Sequence, residues 1–250
     1  MKHLMIHDIS REYFNLGLEQ YRLTFDDGLF SQYYYYPKFR SRKAPLIYFV
    51  TTSFIRPGAA RRMFAGEYLP FIKSKQYMYD TFIHARLDHF MTTEEIVSLA
   101  GFPNVQIGAH SHFHDVIPTR TRPGKIKPLS RWKSERFKHY PGGFEKEFSL
   151  RSRLAFQGYL LQEGLFIRRK AAEWEDFIRY DTEKCLKWFE SNLGFTPDMY
   201  CFPFNEYSDK MISILKSYGF KKFYGARGKG HPDIIERVDI DRLAEQRTSS

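Results

Sequence analysis

The run Leu46-Ile-Tyr-Phe-Val-Thr51 is an unbroken stretch of β-branched, aromatic and aliphatic side chains. A strand with one wet face alternates apolar and polar residues. A strand without that alternation is covered on both faces, which is the condition of a parallel sheet flanked by helices. Neighbouring segments agree. Tyr21-Arg-Leu-Thr-Phe25 alternates and runs into Asp26-Asp27-Gly28, and Val105-Gln-Ile-Gly-Ala109 is a short strand running into His110. Tyr200 to Phe204 reads as a strand and its turn, Phe220 to Tyr224 as a strand, and Val238 to Ile240 as a further one.

Helices fall between these strands. Leu29 to Phe39 is helical, with Pro37 marking its end or a kink. Thr92-Thr-Glu-Glu95 is a capping box ahead of a helix that stops at Gly101. Asp181 is expected to cap a helix through Leu193, with Gly194 past its end, and Ser208 to cap another from Met211 to Tyr218. Residues 55–80 give no clear period. Strands alternating with helices imply an α/β fold of parallel βαβ units. With 250 residues, 42% of them hydrophobic, one domain spanning 1–250 can bury a sizeable core.

Composition excludes several classes. Aromatic residues make up 18% of the chain, which opposes disorder. No apolar run approaches the ~18–20 residues of a membrane span. The start, Met1-Lys-His-Leu-Met-Ile-His-Asp, lacks the apolar stretch of a secretory signal, so a cytoplasmic protein is expected. Cys185 and Cys201 form neither a disulfide scaffold nor a zinc-finger spacing and read as reduced, packed thiols. The formal charge of +10 is local. Residues 119–170 hold 14 Lys/Arg against 4 acids, and the rest of the chain nets zero. That segment opens with Pro118, Pro123, Gly124 and Pro128, a loop composition, and is expected to close with a helix from about Ser149 to Lys170. Such an excess attracts an anionic partner, or serves as a solvated surface.

Two short motifs carry chemistry. In Thr24-Phe25-Asp26-Asp27-Gly28 two adjacent carboxylates at a strand end point apart, so one can bind a metal while the other faces substrate. Alone, the tripeptide is also an ordinary turn. In His110-Ser111-His112-Phe113-His114 the outer histidines are four apart; on a helical turn they share one side and can grip one ion. Two imidazoles and a carboxylate leave a zinc-like ion an open position for water. Both motifs follow a strand, and so fall at the carboxyl ends of parallel strands, where barrel active sites gather.

Together these motifs resemble those of the NodB-homology polysaccharide deacetylases, carbohydrate esterase family four. The family's Thr-Phe-Asp-Asp matches Thr24 to Asp27, and its His-Ser/Thr-x-x-His matches His110 to His114. Leu46 to Thr51 is similar to its Thr-Phe-Phe-Val strand. The resemblance implies a distorted (β/α) barrel of parallel strands, with residues 119–170 as a basic insertion. It also implies a divalent metal held by Asp27, His110 and His114. Zinc is the first choice, with cobalt, nickel or manganese also suited. Asp26 becomes the base and a backbone N–H near Phe204 the oxyanion donor. The activity implied is removal of an N-acetyl or other N-acyl group from a sugar. The chain is also similar to small deacetylase-like proteins of O-antigen clusters. A cytoplasmic deacetylase cannot reach finished polymer, so a nucleotide sugar, a lipid-linked intermediate or an acidic glycan precursor is expected, docked by the basic segment.

Two departures stand out. The family's Arg-x-Pro-Tyr/Phe reads Cys201-Phe202-Pro203-Phe204, without the arginine. The Leu-x-His that supplies the general acid is not visible. His231 is the nearest histidine and stands as the candidate, although its Gly-Lys-Gly-His-Pro context fits an exposed loop; His84, His89 and His139 are no better placed. These gaps leave open a catalytically inactive carbohydrate-binding protein of the same fold. A nucleic-acid binder is motivated only by the positive charge, and no recognition motif supports it. Of the four consecutive tyrosines Tyr33 to Tyr36, none is singled out as a sugar platform, because four successive helical positions point in four directions.

Overall fold

The computed structural model describes residues 1–121, 127–225 and 230–248. Its strands are β1 (Lys2–Ile6), β2 (Tyr21–Phe25), β3 (Leu46–Val50), β4 (Val105–Ala109), β5 (Val116–Arg120), β6 (Phe148–Ser152), β7 (Tyr159–Gln162), β8 (Leu165–Arg168), β9 (Met199–Cys201), β10 (Lys222–Gly225) and β11 (Ile234–Asp239). Its helices are α1 (Phe30–Tyr34), α2 (Tyr36–Phe39), α3 (Ser74–His84), α4 (Thr93–Ala100), α5 (Arg131–Arg136), α6 (Ala171–Leu193), α7 (Asp209–Ser217) and α8 (Ile240–Thr248). Seven strands close into a barrel in the order β1-β11-β10-β9-β4-β3-β2, every pairing parallel. The seam between β4 and β9 is a single residue pair, Ala109 with Tyr200, which makes the barrel irregular. The α/β barrel is the architecture that the sequence implied.

All five residues of β3 are buried, as an unbroken apolar strand requires. Tyr48 stacks on Phe25 at 4.7 Å on the outer side, toward the helices. Phe49 points inward against Tyr224. Gly108 of β4 is required by this packing: a Cβ there would come within 2.7 Å of the Phe49 ring. Each large side chain removed from water contributes roughly 1.5–3 kcal/mol. Tyr33, Tyr34, Tyr35 and Tyr36 are all buried in this outer core, so the tyrosine run is packing.

Caps fix the helix starts. Thr92 and Glu95 form the expected reciprocal box on α4, and Ser208 accepts the Met211 N–H on α7. Three expectations are corrected. The helix foreseen from about 149 to 170 is absent; those residues form β6, which pairs antiparallel with β5, and the hairpin β7–β8. Period-two burial along Phe148, Leu150 and Ser152 explains the first. Glu163 and Gly164, both at positive φ, make the two-residue turn of the second. α6 begins at Ala171, well before the start that a cap at Asp181 implies, which puts Asp181 mid-helix. Finally, β1 opens the barrel from a segment to which the sequence assigned no element. No described helix is long and apolar enough to cross a membrane.

Candidate metal centre and active site

At the carboxyl ends of β1, β2, β4 and β9 lies a cavity of about 240 Å³. Its lining includes His7, Asp26, Asp27, His110, His114 and Phe204. A larger cavity, about 500 Å³, sits at the amino ends of β1 to β3 among Leu18, Glu19 and Arg42. The ligand-forming groups among the described residues all lie at the carboxyl end.

Asp27 adopts φ +72°, followed by Gly28 at +84°. This left-handed pair turns the chain sharply, so that the two carboxylates diverge, at a strain cost of ~1–3 kcal/mol for the non-glycine residue. Asp27 Oδ1 is 3.3 Å from His110 Nε2 and 3.5 Å from His114 Nε2. All three side chains are at most 4% exposed. His110 and His114 are not on a helical turn, as the spacing suggested. Ser111 (φ +71°) and His114 (φ +50°) bend the chain instead. The Asp181 carboxylate stabilises that bend from α6, accepting the backbone N–H groups of His112 (3.0 Å) and Phe113 (2.9 Å).

The donor set fits a divalent cation. His110 Nδ1 donates to the Cys201 carbonyl at 2.9 Å, which turns Nε2 toward Asp27. That carbonyl and the Asp27 carboxylate raise the pKa of the ring, so a cation bound there would take the place of the Nε2 proton. Burial pushes His114 down to about 4, which keeps its ring neutral as a ligand must be. Asp27 Oδ1 has no hydrogen-bond partner among the described residues, and an orphaned buried carboxylate oxygen facing two imidazole nitrogens is what a cation would satisfy. Asp26, His110 and Cys201 also cluster. That second set is unsuitable, because a guanidinium already occupies Asp26.

The guanidinium belongs to Arg237 of β11. Its Nη1 and Nη2 donate to Asp26 Oδ1 (2.6 Å) and Oδ2 (2.8 Å), and it also reaches Thr24 Oγ1 (3.1 Å) and Cys201 Sγ (2.9 Å). Burial opposes the charge on Asp26, but Arg237 outweighs burial and holds the carboxyl below its usual range. The arginine missing at position 201 is thus replaced in space by one from another strand. The Cys201 thiol, smaller than an arginine, leaves room for it. Burial pushes that thiol up, which keeps it protonated.

His231 does not join this group. It lies in the connection ahead of β11, Nε2 3.4 Å from Asp209 Oδ1 of α7, and is not among the residues lining the cavity. The reason is topological: β11 delivers Arg237 inward, while the preceding loop packs outside on α7. His84, His89 and His139 also lie off the cavity, with His89 held by Asp80 at 2.9 Å. Phe204 does line it, at φ +59°, its ring 4.4 Å from that of His114.

Four residues of the site went unseen in the sequence. Arg237 sat in a stretch read for a missing histidine. His7 follows β1 as Asp26 follows β2, and Gln32 ties the two ends together, donating to His7 O (2.9 Å) and Asp26 O (2.6 Å). The apolar triplet Leu4-Met-Ile6 ahead of His7 was the available signal. Tyr77 of α3 donates its hydroxyl to Asp27 Oδ2 at 2.8 Å. Lys133 of α5 lines the cavity, its ammonium on the Leu150 carbonyl (2.9 Å) and 5.2 Å from the Phe204 ring centre. The last two come from segments without a motif.

No protein-family model matches the sequence, and no curated protein matches it. Solved structures do. The de-N-acetylase of Aggregatibacter actinomycetemcomitans superposes with a TM-score of 0.60 at 13% identity, covering 95% of this chain and 93% of that one. IcaB from Ammonifex degensii gives 0.56 at 16%, covering 99% and 95%. The deacetylase domain of BpsB from Bordetella bronchiseptica gives 0.57 at 18%, covering 88% and 70%. The fold is that of the polysaccharide deacetylases. Within this deacetylase fold, the chain supplies its buried arginine from β11 and a histidine from the residue that follows β1.

Proposed function

We propose that this chain is a metal-dependent hydrolase that removes an N-acyl group, by default acetyl, from a sugar. One observation carries the reading: Asp27 Oδ1, without a hydrogen-bond partner among the described residues, faces two histidine Nε2 atoms in the cavity whose other carboxylate, Asp26, is gripped by Arg237. Asp27, His110 and His114 would hold the cation. Zinc, cobalt, nickel and manganese suit one carboxylate and two imidazoles to differing degrees. When bound, such a cation polarises a carbonyl and acidifies water.

The remaining chemistry belongs to the chain. Asp26, kept ionised and oriented by Arg237, accepts the proton of the attacking water. His7, which follows β1 and lines the same cavity, takes the place of His231 and returns a proton to the departing amine. The backbone at Phe204 is the candidate donor to the developing oxyanion, a role that typically lowers a barrier by ~3–4 kcal/mol. Trp132 and Phe204 supply aromatic faces to the lining of the cavity. Its volume is below the ~300–1,000 Å³ of drug-sized sites, which suits a single sugar unit.

Lys75 and Lys133 in the lining favour a substrate with a phosphate or carboxylate. We read the substrate as a nucleotide- or lipid-linked precursor of a surface polysaccharide such as O-antigen, met in the cytoplasm. Residues 119–170 form the basic insertion of a single domain, although part of their charge is matched by acids outside the segment: Arg136 and Arg153 share Asp115, and Arg151 holds Glu206. Arg122 and Lys125 lie outside the described residues. The inactive-binder reading rested on an absent arginine and an absent acid; Arg237 and His7 remove its motivation.

The test is metal analysis of purified protein combined with acetate release from a panel of N-acetylated nucleotide sugars. His7→Gln is expected to keep the metal and lose ~10²–10⁴-fold in kcat. A fully metal-loaded protein that releases no acetate from any panel member rejects the hydrolase reading.

A further inference from the structure

We propose that Tyr77 is a positioning residue for the metal centre, fixing Asp27 as a ligand through one oxygen only. The inference rests on the metal site proposed above. Tyr77 is fully buried, and its O–H donates to Asp27 Oδ2 at 2.8 Å. The other oxygen, Oδ1, is the one left without a hydrogen-bond partner and turned toward His110 and His114. The two oxygens of one carboxylate are thereby given different tasks. Oδ2 is occupied by a neutral donor, and Oδ1 keeps its lone pairs for the cation.

The chemistry of the donor matters. A phenol satisfies Oδ2 without neutralising the carboxylate, so the charge that attracts a cation is retained. A phenol is a neutral donor at ordinary pH, and here it already donates to Oδ2. A lysine or arginine in the same place would pair with Asp27 as Arg237 pairs with Asp26, and would compete with the metal. A carboxylate free to rotate would spend part of its time bidentate or turned away, and the affinity would fall with that freedom. Partners of this kind in other metal proteins typically contribute 10–100-fold in affinity.

Tyr77 reaches the site from α3, in a segment between β3 and β4 that bears none of the metal motifs. Its ring lies edge-to-face on Phe90 at 5.9 Å, in a hydrophobic cluster that also contains Trp132 of α5. The hydroxyl is therefore delivered by a packed wall of the substrate cavity rather than by the barrel. The same wall contributes Ser74, Lys75 and Met78 to the lining. Metal binding and the position of that wall are coupled through one hydrogen bond.

The experiment measures Zn²⁺ and Co²⁺ affinity by chelator competition in wild type, Tyr77→Phe and Phe90→Leu. Tyr77→Phe keeps the ring and removes the hydroxyl; Phe90→Leu loosens the packing and keeps the hydroxyl. We expect Tyr77→Phe to bind 10–100-fold more weakly and to change the visible spectrum of the Co²⁺ form, with Phe90→Leu close to wild type. Equal affinities for Tyr77→Phe and wild type, or equal losses in both variants, overturn the proposal. Should Tyr77→Phe not fold, wild-type amide exchange decides: Zn²⁺ must slow exchange in α3 more than in the outer helix α7, and equal slowing overturns the idea. A wild type that binds neither ion instead rejects the metal centre itself, a separate outcome. No substrate is needed for any of these readings.

Discussion

Asp26 and Asp27 are adjacent in the chain and both are at most 2% exposed, yet their surroundings are opposite. Around Asp26, a guanidinium from β11 takes both carboxylate oxygens. Around Asp27, a phenol takes one oxygen and two imidazole nitrogens face the other. The left-handed turn at Asp27 sends the neighbours into these two environments. A buried carboxylate already paired with a permanent cation has no use for a second one. A buried carboxylate whose oxygen faces two imidazole nitrogens has an evident use for one. The contrast divides the labour between base and ligand, which sequence adjacency alone could not do.

Exchanging each acid for its amide breaks the contrast most directly. Asp26→Asn should retain stoichiometric metal and lose turnover by ~10²–10⁴-fold or more, as removal of a positioned base does. Asp27→Asn should lose both metal and turnover. Metal content and acetate release on the same samples check this. If Asp26→Asn loses its metal as completely as Asp27→Asn, the two environments are not the separate halves described above.

The pair on the Asp26 side can be sharpened through Arg237. Removing one member of a buried, hydrogen-bonded ion pair strands the other charge and costs about 3–5 kcal/mol. Arg237→Met should be destabilised by about that much in urea unfolding. Arg237→Met combined with Asp26→Asn should recover a large part of the loss, because neither charge is then left buried alone. A double variant no more stable than Arg237→Met would show that packing around β11, rather than the charge, is what Arg237 supplies.

The same two sides differ in how far they could be read in advance. The Asp27 side was legible because its ligands sit in short contiguous motifs at strand ends, where residue type and spacing carry the chemistry. The Asp26 side was not. Arg237 is brought to Asp26 only by closure of the barrel, with β11 beside β1 and β1 beside β2, and no local pattern in Ile234–Asp239 announces an inward arginine. His7 was lost for a related reason. β1 is short, begins the chain, and has too few residues to show a period. For the fold, β3 was unmistakable from its apolar run, whereas the segment 149–170 was misassigned. Its basic and apolar residues fit a helix as well as a strand and a hairpin until the Glu163-Gly164 turn is recognised.

Asp181 tests a smaller version of the contrast, a buried carboxylate paired with neither guanidinium nor metal. Its residue type suggested a helix cap, but it lies inside α6 and accepts two N–H groups from the loop carrying His110 and His114. Burial pushes its carboxyl up to about 6, and the two N–H donors offset this only in part. The sign follows from linkage. A carboxyl titrating higher in the folded chain than in the unfolded one binds its proton more tightly when folded. Its contribution to stability is therefore fully present below about pH 4, and is lost as pH rises through about 6. At ~1.4 kcal/mol per unit the whole swing is ~3 kcal/mol. Asp181→Asn removes the titration and keeps one acceptor oxygen. With chelator present, the stability of wild type relative to Asp181→Asn should fall by ~2–3 kcal/mol between pH 4 and pH 7. All other titrating groups are common to both proteins and cancel in the difference. A difference that stays flat over that range means that the Asp181 carboxylate is as well solvated by its two donors as by water, and that the loop bearing the histidines is held at no electrostatic cost.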